Sequence, residues 1–421
     1  MEWRGGMMPH FGFSTNKIED FPKRDYYRPP LRNLEIDWNQ FRGPNRDGHV
    51  PPLSFSIDWE KAPQTRWSTS SGLGHSSIVT HGDLVITIEQ NGMQECLTAR
   101  SLDDGRIEWK VTEPTKWHDI LSGTGPRSTP TIHSDKIYSL FSNGRLACVE
   151  ASNGKVSWII ETIPEDYDFP EWGLSISPLI WNEMLILNLG GETSAVKAYS
   201  IDSGEEIWSS DIAGKGVYLS PEVLNLLDEN HLLIALEGKI AALKPANRKT
   251  LCTRPWKMFM NNAQIVQPIQ ASKNSFILAA GYGKGAECFN IERDTDDQGY
   301  SINSAWKSKN LKAKFSNPVL RDGFIYGLSE NLLVCLEAKT GKLMWRGKKY
   351  SYGRILLADK YLLILGHSGV FSVVDASPDG FHEVSSRQLL TDARCWNGPA
   401  FVNGYLLARN GEQIACFDFG K

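Results

Sequence analysis

One pattern recurs in ARSLDDGRIEW (99–109), CVEASNGKVSW (148–158), AYSIDSGEEIW (198–208) and CLEAKTGKLMW (335–345). Each stretch begins with a small residue, has Gly at its seventh place and ends with Trp at its eleventh. Self-similar segments at a regular period indicate a repeat architecture. Weaker copies of the same pattern occur in ALKPANRKTLC (242–252), CFNIERDTDDQGYSINSAW (288–306), VVDASPDG (373–380) and CFDF (416–419). The pattern therefore occurs eight times.

A second unit precedes each copy. It consists of two short apolar runs, rich in β-branched and aromatic residues, joined by Gly, Asn or Asp, as in STPTIHSDKIYSL (128–140) and NPVLRDGFIYGL (317–328). Such runs are typical of β-hairpins. Four short strands in every ~40–50 residues match the period of a propeller blade. The sequence therefore predicts an all-β fold, an eight-bladed β-propeller with four-stranded blades.

The last blade is incomplete, since the eighth copy ends near Phe419 after only three predicted strands. QTRWSTS (64–70) stands before the first copy and puts Trp67 where the other blades have their Trp. Pairing of the first and last segments in one blade would remove the exposed edges of an open sheet. The alternative, an open solenoid, would need polar capping repeats at both ends. We therefore predict that an N-terminal strand closes the last blade.

The recurring Trp and small residue have a structural explanation. A Trp on the outer strand buries a large ring and presents its N–H to a backbone acceptor near the neighbouring blade. Only a small side chain fits beneath it, which explains Ala99 and Ala198. Free Cys also behaves as a small buried hydrophobe, so the same packing role is predicted for Cys148, Cys288, Cys335 and Cys416.

Composition limits the kinds of partner. Lys and Arg total 45 against 49 Asp and Glu, which gives a net charge of -4 and argues against a nucleic-acid partner held by bulk charge. No apolar run reaches the ~20 residues that a transmembrane segment needs, and we expect a monomer. Residues 1–30 lack the apolar region of a secretory signal peptide. As it stands, the sequence favours a cytoplasmic protein, and the alternative is that the true signal peptide is missing from this sequence.

The N-terminal segment differs from the repeats. Residues 1–37 mix acidic and basic side chains with four prolines and few apolar runs, a composition that forms cores poorly. We predict a partly disordered extension over residues 1–37, followed by a single propeller domain over residues 38–421.

The A-x-D-x-x-T-G-x-x-x-W frame of these copies resembles the repeat of pyrroloquinoline-quinone-like (PQQ-like) β-propellers. That family contains quinoprotein alcohol dehydrogenases and the BamB scaffold protein of outer-membrane assembly, and the resemblance runs from Trp38 to Phe419. Most such relatives are exported to the periplasm or cell envelope. A bacterial subgroup common in planctomycetes and acidobacteria has segments similar to WNQFRGPNRDG (38–48), GPRSTPTI (125–132), EWG (171–173) and GYGKG (281–285). The resemblance implies the fold and says little about activity, because fold does not determine function.

The resemblance also implies what a quinone site would need. In the dehydrogenases, PQQ lies between a Trp and a disulfide of adjacent cysteines, and Glu, Asn and Asp hold Ca²⁺. None of the seven cysteines here is adjacent to another, and no Asp- and Asn-rich loop supplies the oxygen ligands of Ca²⁺. We therefore predict no cofactor and no metal site, and only the family name suggests PQQ.

The loops before the innermost strands of a propeller gather at the mouth of its central channel. Alignment of the repeats places one residue per blade there: His75, Arg127, Ser175, Tyr218, Ile265, Phe315, Tyr352 and Trp396. A ligand site would use residues that combine a hydrogen-bonding group with a flat or charged face, which are His75, Arg127, Tyr218, Tyr352 and Trp396. Arg127 is suited to hold a carboxylate or phosphate. The alternative is that these residues only fill the channel.

Other candidates give weaker signals. His118 and Asp119 are neighbours in a loop, and Lys312, Lys314 and Arg321 form a basic spot; we interpret both groups as surface. The sequence has no nucleophile elbow such as G-x-S-x-G, so no catalytic residue is predicted. The function predicted is a non-catalytic binding or scaffold module for a protein or small-molecule ligand. The alternative is a quinoprotein-like, PQQ-dependent oxidoreductase.

Overall fold

The computed structural model describes residues 37–258, 263–294 and 299–420. The predicted extension over residues 1–37 lies outside the described residues except for Asp37. All regular elements in the described ranges are β-strands. Within these ranges, no helix has the length and apolar character needed to cross a membrane.

The strands are short and follow one another closely. Those of the N-terminal half are β1 (His49–Val50), β2 (Gln64–Ser70), β3 (Val79–His81), β4 (Leu84–Asn91), β5 (Gln94–Ser101), β6 (Ile107–Glu113), β7 (His118–Asp119), β8 (Gly123–Thr124), β9 (Thr131–His133), β10 (Lys136–Leu140), β11 (Arg145–Glu150), β12 (Val156–Glu161), β13 (Leu179–Trp181), β14 (Met184–Asn188), β15 (Gly190–Gly191), β16 (Val196–Ser200), β17 (Glu206–Ser209) and β18 (Gly214–Lys215).

The C-terminal half continues in the same manner. Its strands are β19 (Glu222–Leu226), β20 (Glu229–Leu236), β21 (Lys239–Leu243), β22 (Thr250–Pro255), β23 (Ile269–Gln270), β24 (Ser275–Ala280), β25 (Gly285–Arg293), β26 (Tyr300–Ser308), β27 (Val319–Arg321), β28 (Phe324–Ser329), β29 (Leu332–Glu337), β30 (Leu343–Lys349), β31 (Arg354–Ala358), β32 (Tyr361–Leu365), β33 (Val370–Asp375), β34 (Glu383–Gln388), β35 (Ala400–Val402), β36 (Tyr405–Arg409) and β37 (Gln413–Asp418).

These strands form an eight-bladed β-propeller with four-stranded antiparallel blades, as the repeats predict. The chain divides into two compact units. Unit 1 contains blade 1 (β3–β6), blade 2 (β9–β12), blade 8 (β2 with β35–β37) and the short β7–β8 hairpin. Unit 2 contains blade 3 (β13, β14, β16 and β17), blades 4 to 7 (β19–β34) and the short β15–β18 pair.

Blade 8 in unit 1 takes its outer strand from the N-terminal part of the chain. β2 runs antiparallel to β37, with Trp67 opposite Cys416 and Gln64 opposite Asp418. The prediction that QTRWSTS (64–70) completes the last blade is confirmed. The free edge that three strands would leave is paired, which removes an edge available for aggregation.

A buried charge cluster links blade 8 to blade 1. The Arg409 side chain on β36 is fully buried and donates hydrogen bonds to Thr87 Oγ1 at 2.8 Å and to the backbone oxygen of Gly72 at 2.7 Å. Glu89 balances this charge and also accepts hydrogen bonds from the buried Arg100. Burial raises the pKa of Glu89, but the two arginines outweigh it and keep that pKa below its ordinary value. The hydrogen bonds from this buried arginine to Thr87 and to the backbone of Ile88 help to fix the relative positions of the two blades.

Two repeat tryptophans of unit 1, Trp67 and Trp109, pack on the glycine turn of the following blade. Trp67 Nε1 donates to Leu102 O at 2.7 Å, and a Cβ on Gly105 would lie only 2.6 Å from the Trp67 ring. Gly105 also has a φ of +73°, a conformation that favours glycine. Trp109 repeats the arrangement, with Nε1 2.9 Å from Ala151 O. The glycine of the repeat is therefore required both by the turn and by the indole above it.

The small residue of each repeat lies opposite its Trp, as predicted. Burial raises the pKa of Cys335 and of Cys416 to about 12, so both thiols are packing groups with little thiolate at neutral pH. The cross-strand pairs are Ala99 with Trp109, Cys148 with Trp158, Ala198 with Trp208, Cys288 with Trp306, Cys335 with Trp345 and Cys416 with Trp67.

Trp208 in unit 2 departs from the predicted role. Trp306 Nε1 donates to Ala338 O at 3.0 Å, whereas Trp208 Nε1 is buried and has no hydrogen-bond partner among the described residues. Arg248 stands at the glycine place of the following turn, with a φ of +65°. Arg248 has a Cβ, whereas the glycine of the other turns leaves that space to the indole ring, as Gly341 does for Trp306. The expectation that every repeat Trp bonds the next blade is wrong for Trp208.

Blade 7 has an additional strand that the repeats do not predict. β1 pairs in parallel with β31, with His49 opposite Leu357 and Val50 opposite Ala358. Gly48 O accepts a hydrogen bond from Leu357 N at 2.9 Å. Within unit 2 this strand covers an edge that a four-stranded blade would leave open.

We expect the indole hydrogen bond to distinguish two otherwise similar tryptophans. Trp306→Phe should lower the free energy of unfolding by about 1 kcal/mol more than Trp208→Phe, because only Trp306 loses a hydrogen bond while Trp208 loses an unsatisfied N–H. Urea denaturation of both variants measures the difference. Equal losses would contradict the role assigned to the Trp306 hydrogen bond.

Glu95 on β5 is a fully buried carboxyl group. Ser142 donates to it through both its backbone N, at 2.9 Å, and its hydroxyl group. Burial raises the pKa of Glu95 to about 7, despite these hydrogen bonds. The folded protein therefore binds this proton more tightly than the unfolded chain does.

This proton makes stability depend on pH. The stabilisation is present below the ordinary carboxyl pKa and is lost as pH rises through about 7, by an amount on the order of 3 kcal/mol. Glu95→Gln keeps the shape without the titration, so its unfolding free energy should fall less between pH 5 and pH 8 than that of the wild type. Parallel pH profiles for the two proteins would show that Glu95 does not titrate in this window.

Candidate functional site

Three of the five predicted site residues lie together in unit 1. The His75 and Trp396 rings are 5.2 Å apart between centroids, and His75 Nε2 lies 2.8 Å from Ser122 O. Arg127 donates to Ser122 Oγ at 2.6 Å. The repeat alignment therefore brings His75, Arg127 and Trp396 to one place, around the loop formed by residues 117–125.

Arg127 bonds to this loop. Its side chain is only 8% exposed and donates to Gly125 O at 2.6 Å and to Gly123 O at 3.0 Å. Its guanidinium group also forms an ion pair with Asp119, whose side chain is 5% exposed. The carboxylate expected at Arg127 is thus supplied by the chain itself, eight residues earlier.

Asp119 is the residue that holds the loop together. Its carboxylate accepts hydrogen bonds from Ser122 N at 2.7 Å, Leu121 N at 3.0 Å and Trp117 Nε1 at 3.4 Å. Burial raises the pKa of Asp119, but the Ser122 hydrogen bonds and the Arg127 charge outweigh it and lower that pKa. The carboxylate is ionised at neutral pH and braces a short β-hairpin, in which β7 pairs with β8.

The tip of this hairpin is apolar and exposed. Ile120 is 82% exposed and Leu121 is 61% exposed. Arg394 donates to Leu121 O at 3.2 Å and to Ser122 O at 2.9 Å, while its guanidinium carbon lies 4.6 Å from the Trp396 ring centroid. Ile120 and Leu121 therefore place two adjacent exposed aliphatic side chains on a loop whose backbone is held by hydrogen bonds.

A second loop packs on the same hairpin. Trp117 is 1% exposed and lies 5.6 Å from Phe169 between ring centroids. A Cβ on Gly173 would lie 2.5 Å from the Trp117 ring, so the glycine of the EWG segment leaves room for this indole. The loop carries several exposed carboxylates, namely Glu165, Asp166, Asp168 and Glu171.

The remaining two predicted residues belong to unit 2. Tyr218 is 4% exposed and its backbone N donates to Gln264 O at 3.2 Å. Tyr352 is half-buried, and its ring lies 5.9 Å from the Phe315 ring. Phe315 and Tyr352 occupy equivalent positions of adjacent repeats, as the alignment places them. A role of Tyr218 or Tyr352 in ligand binding stays a prediction.

Sequence reasoning missed Asp119 as a partner of Arg127. One signal was present in the segment DILSG (119–123). An Asp that is followed within a few residues by Ser and Gly is typical of a turn in which the Asp side chain bonds the backbone. His118, its neighbour, is exposed and bonds only Thr124 Oγ1, at 2.8 Å, among the contacts of the described chain. The interpretation of His118 as a surface residue agrees with this placement, whereas the same interpretation is wrong for Asp119, which is buried and paired with Arg127.

The described residues do not fit a calcium-bound quinone. All seven cysteines are free and none is next to another in sequence, so a vicinal disulfide cannot form. Nowhere in the described ranges do three or more His, Cys, Asp or Glu side chains gather in a way that could hold a metal ion. The chain therefore lacks the disulfide of adjacent cysteines that the quinoprotein site uses.

Comparison with solved structures supports the fold. BamB from Moraxella catarrhalis superposes with a TM-score of 0.57 at 15% identity, covering 83% of this chain and 97% of that one. Quinohemoprotein alcohol dehydrogenase from Comamonas testosteroni gives a TM-score of 0.66 at 12% identity, covering 92% of this chain and 81% of that one. At these identities the likeness shows the fold alone. No curated protein matches the chain.

A family comparison covers more than half of the sequence. The family described as outer membrane protein assembly factor BamB matches residues 56–166 and 116–347. These ranges contain six of the eight repeat copies and the hairpin of residues 117–125. The chain therefore belongs to the BamB-like family of PQQ-like β-propellers.

Proposed function

We propose that the protein is a non-catalytic scaffold propeller that binds a protein partner through the apolar hairpin tip of unit 1. One observation carries this proposal, which is that Ile120 and Leu121 are exposed on a loop held by a buried Arg127–Asp119 ion pair. His75, Trp396 and Arg394 form the side of the same surface.

Pre-organisation is the physical reason for such an arrangement. A flexible loop would lose conformational freedom on binding, and that loss weakens association. Here the backbone is already fixed by hydrogen bonds to Asp119 and Arg127. An aliphatic side chain held in position can enter a pocket of a partner, where most of the binding energy of an interface is found.

Charge indicates the chemistry of the partner. The loop that packs on Trp117 exposes Glu165, Asp166, Asp168 and Glu171. Complementary charge gives specificity and speeds association. The proposed partner surface is an apolar pocket bordered by Lys or Arg residues.

The proposal assigns Arg127 a positioning role. Its guanidinium group bonds Asp119 and three atoms of the loop, so its effect on a ligand would act through the shape of the hairpin. The matching family is described as an outer membrane protein assembly factor, and a scaffold function is consistent with that description. The relationship to quinohemoprotein alcohol dehydrogenases supports the alternative of a quinone-dependent oxidoreductase only at the level of the fold.

Removal of the apolar tip should abolish partner binding without unfolding the protein. A photo-crosslinking residue at Leu121 should capture a partner from the native organism, and Ile120→Ser with Leu121→Ser should prevent co-purification of that partner. Thermal stability should change by less than about 0.5 kcal/mol, as expected for exposed sites. Ile107→Ser is the matched control, because Ile107 is 43% exposed on β6 of the same unit. Equal binding by the tip variant and the control would refute the proposal.

Addition of PQQ with Ca²⁺ tests the oxidoreductase alternative. We expect no stoichiometric change in the cofactor absorbance and no dye reduction with simple alcohols, because the chain has no adjacent cysteines to form the disulfide of the quinoprotein site. The measurement is an absorbance titration followed by a dye-linked assay. Tight one-to-one uptake would reverse the choice between the two functions.

A further inference from the structure

Unit 2 contains a group of cations and aromatic rings that lies outside the proposed contact surface. Lys314 Nζ lies 4.9 Å from the Tyr352 ring centroid and 5.2 Å from that of Tyr282. The Arg354 guanidinium carbon lies 5.2 Å from the Phe315 ring centroid. We call these five residues the cation–aromatic cluster. Arg354 is the first residue of β31, and the other four lie in loops of blades 5, 6 and 7.

Local structure fixes the positions of these side chains. The stem of Lys314 crosses the backbone of Gly281, where an added Cβ would lie 2.3 Å from Lys314 Cγ. Tyr282 and Tyr352 both have left-handed backbone conformations, with φ of +52° and +54°. Aromatic residues rarely adopt this conformation, which persists where the surrounding structure imposes it. The GYGKG segment (281–285) is thus shaped around Lys314.

The cluster, together with Lys284 of its GYGKG segment and the neighbouring Lys309, carries an excess of positive charge. Within the described part of the chain, Lys314, Lys284 and Lys309 make no ion pair with a carboxylate. Lys309 Nζ donates to Gly283 O at 2.7 Å, and Lys284 Nζ donates to Lys257 O at 2.9 Å. Carbonyl oxygens and ring faces satisfy these ammonium groups only in part, because each has three N–H donors and prefers an anionic acceptor.

Only part of the basic spot predicted from sequence belongs here. Arg321 instead donates to Ala376 O at 2.9 Å and forms an ion pair with Asp322 at 3.4 Å. The aromatic neighbours of Lys314 come from segments more than thirty residues away in sequence. The spacing of the basic residues alone therefore gave no sign of the cluster.

We propose that the cation–aromatic cluster binds an acidic segment of a protein, with Lys314 donating to a carboxylate side chain and Arg354 contributing positive charge. The ring faces of Tyr282, Tyr352 and Phe315 are already covered by cations. A nucleobase or another flat ring would need those faces for stacking, whereas a carboxylate needs only the N–H donors. This inference does not depend on the hairpin of unit 1.

Binding of a labelled peptide to the full chain tests this assignment. A short fluorescent peptide rich in Asp and Glu should bind in fluorescence anisotropy at low salt, and its affinity should fall as salt increases. Lys314→Met, which keeps the length of the apolar stem, should weaken binding by about ten-fold, the loss expected for one charge-assisted hydrogen bond. Lys339→Met removes the same charge from an exposed turn of unit 2 and should leave the affinity unchanged. Unchanged thermal unfolding of both variants shows that the fold is retained.

Several results would overturn the proposal. The same peptide with Asn and Gln in place of Asp and Glu should not bind, and equal binding would exclude carboxylate recognition. Preferential binding of oligothymidine would assign the cluster to single-stranded nucleic acid. Full competition by millimolar inorganic phosphate would assign it to small anions. Equal effects of Lys314→Met and Lys339→Met would mean that only the overall charge attracts the peptide.

Discussion

The contact between an indole ring and a glycine turn is the constraint on which the blades depend. A turn that contains Gly105 leaves no room for a side chain beneath Trp67, and the N–H of that indole bonds the same turn. Steric fit and hydrogen bond therefore select one spacing between adjacent sheets. Where Arg248 replaces the glycine, the hydrogen bond of Trp208 is absent and the blade persists. The contact is redundant across the repeats, so the fold tolerates the loss of one copy.

The two units use the same positions of the repeat for different chemistry. In unit 1, the aligned position supplies Arg127, whose charge is neutralised by Asp119 and stabilises a loop. In unit 2, the aligned positions supply Phe315 and Tyr352, whose ring faces hold the cations Arg354 and Lys314. The repeat determines the backbone position from which each of these side chains extends. The partners of each side chain depend on the loops, which vary from blade to blade.

Sequence reasoning succeeded where one residue reports a contact that recurs. Trp at the eleventh place and a small residue at the first predict the pairing of Cys416 with Trp67, because both follow from the local packing of one blade. The parallel pairing of His49 with Leu357 could not be predicted, since it depends on the path of a segment that has no periodic pattern. The ion pair of Arg127 with Asp119 was missed for a related reason. Alignment of the repeats compares equivalent positions of different blades, and it does not describe the contacts within the loop of a single blade.

The strand order of blade 8 also determines how the protein would respond to a mechanical load. β2 and β37 are antiparallel, and Gln64 at the start of β2 lies opposite Asp418 at the end of β37. Tension applied to the chain on the N-terminal side of β2 and the C-terminal side of β37 would act at that one end of the ladder. The hydrogen bonds would then break one after another as in a zipper, and the load would not be shared among them as in shear. The same pairing that closes the blade is thus its weakest point under tension.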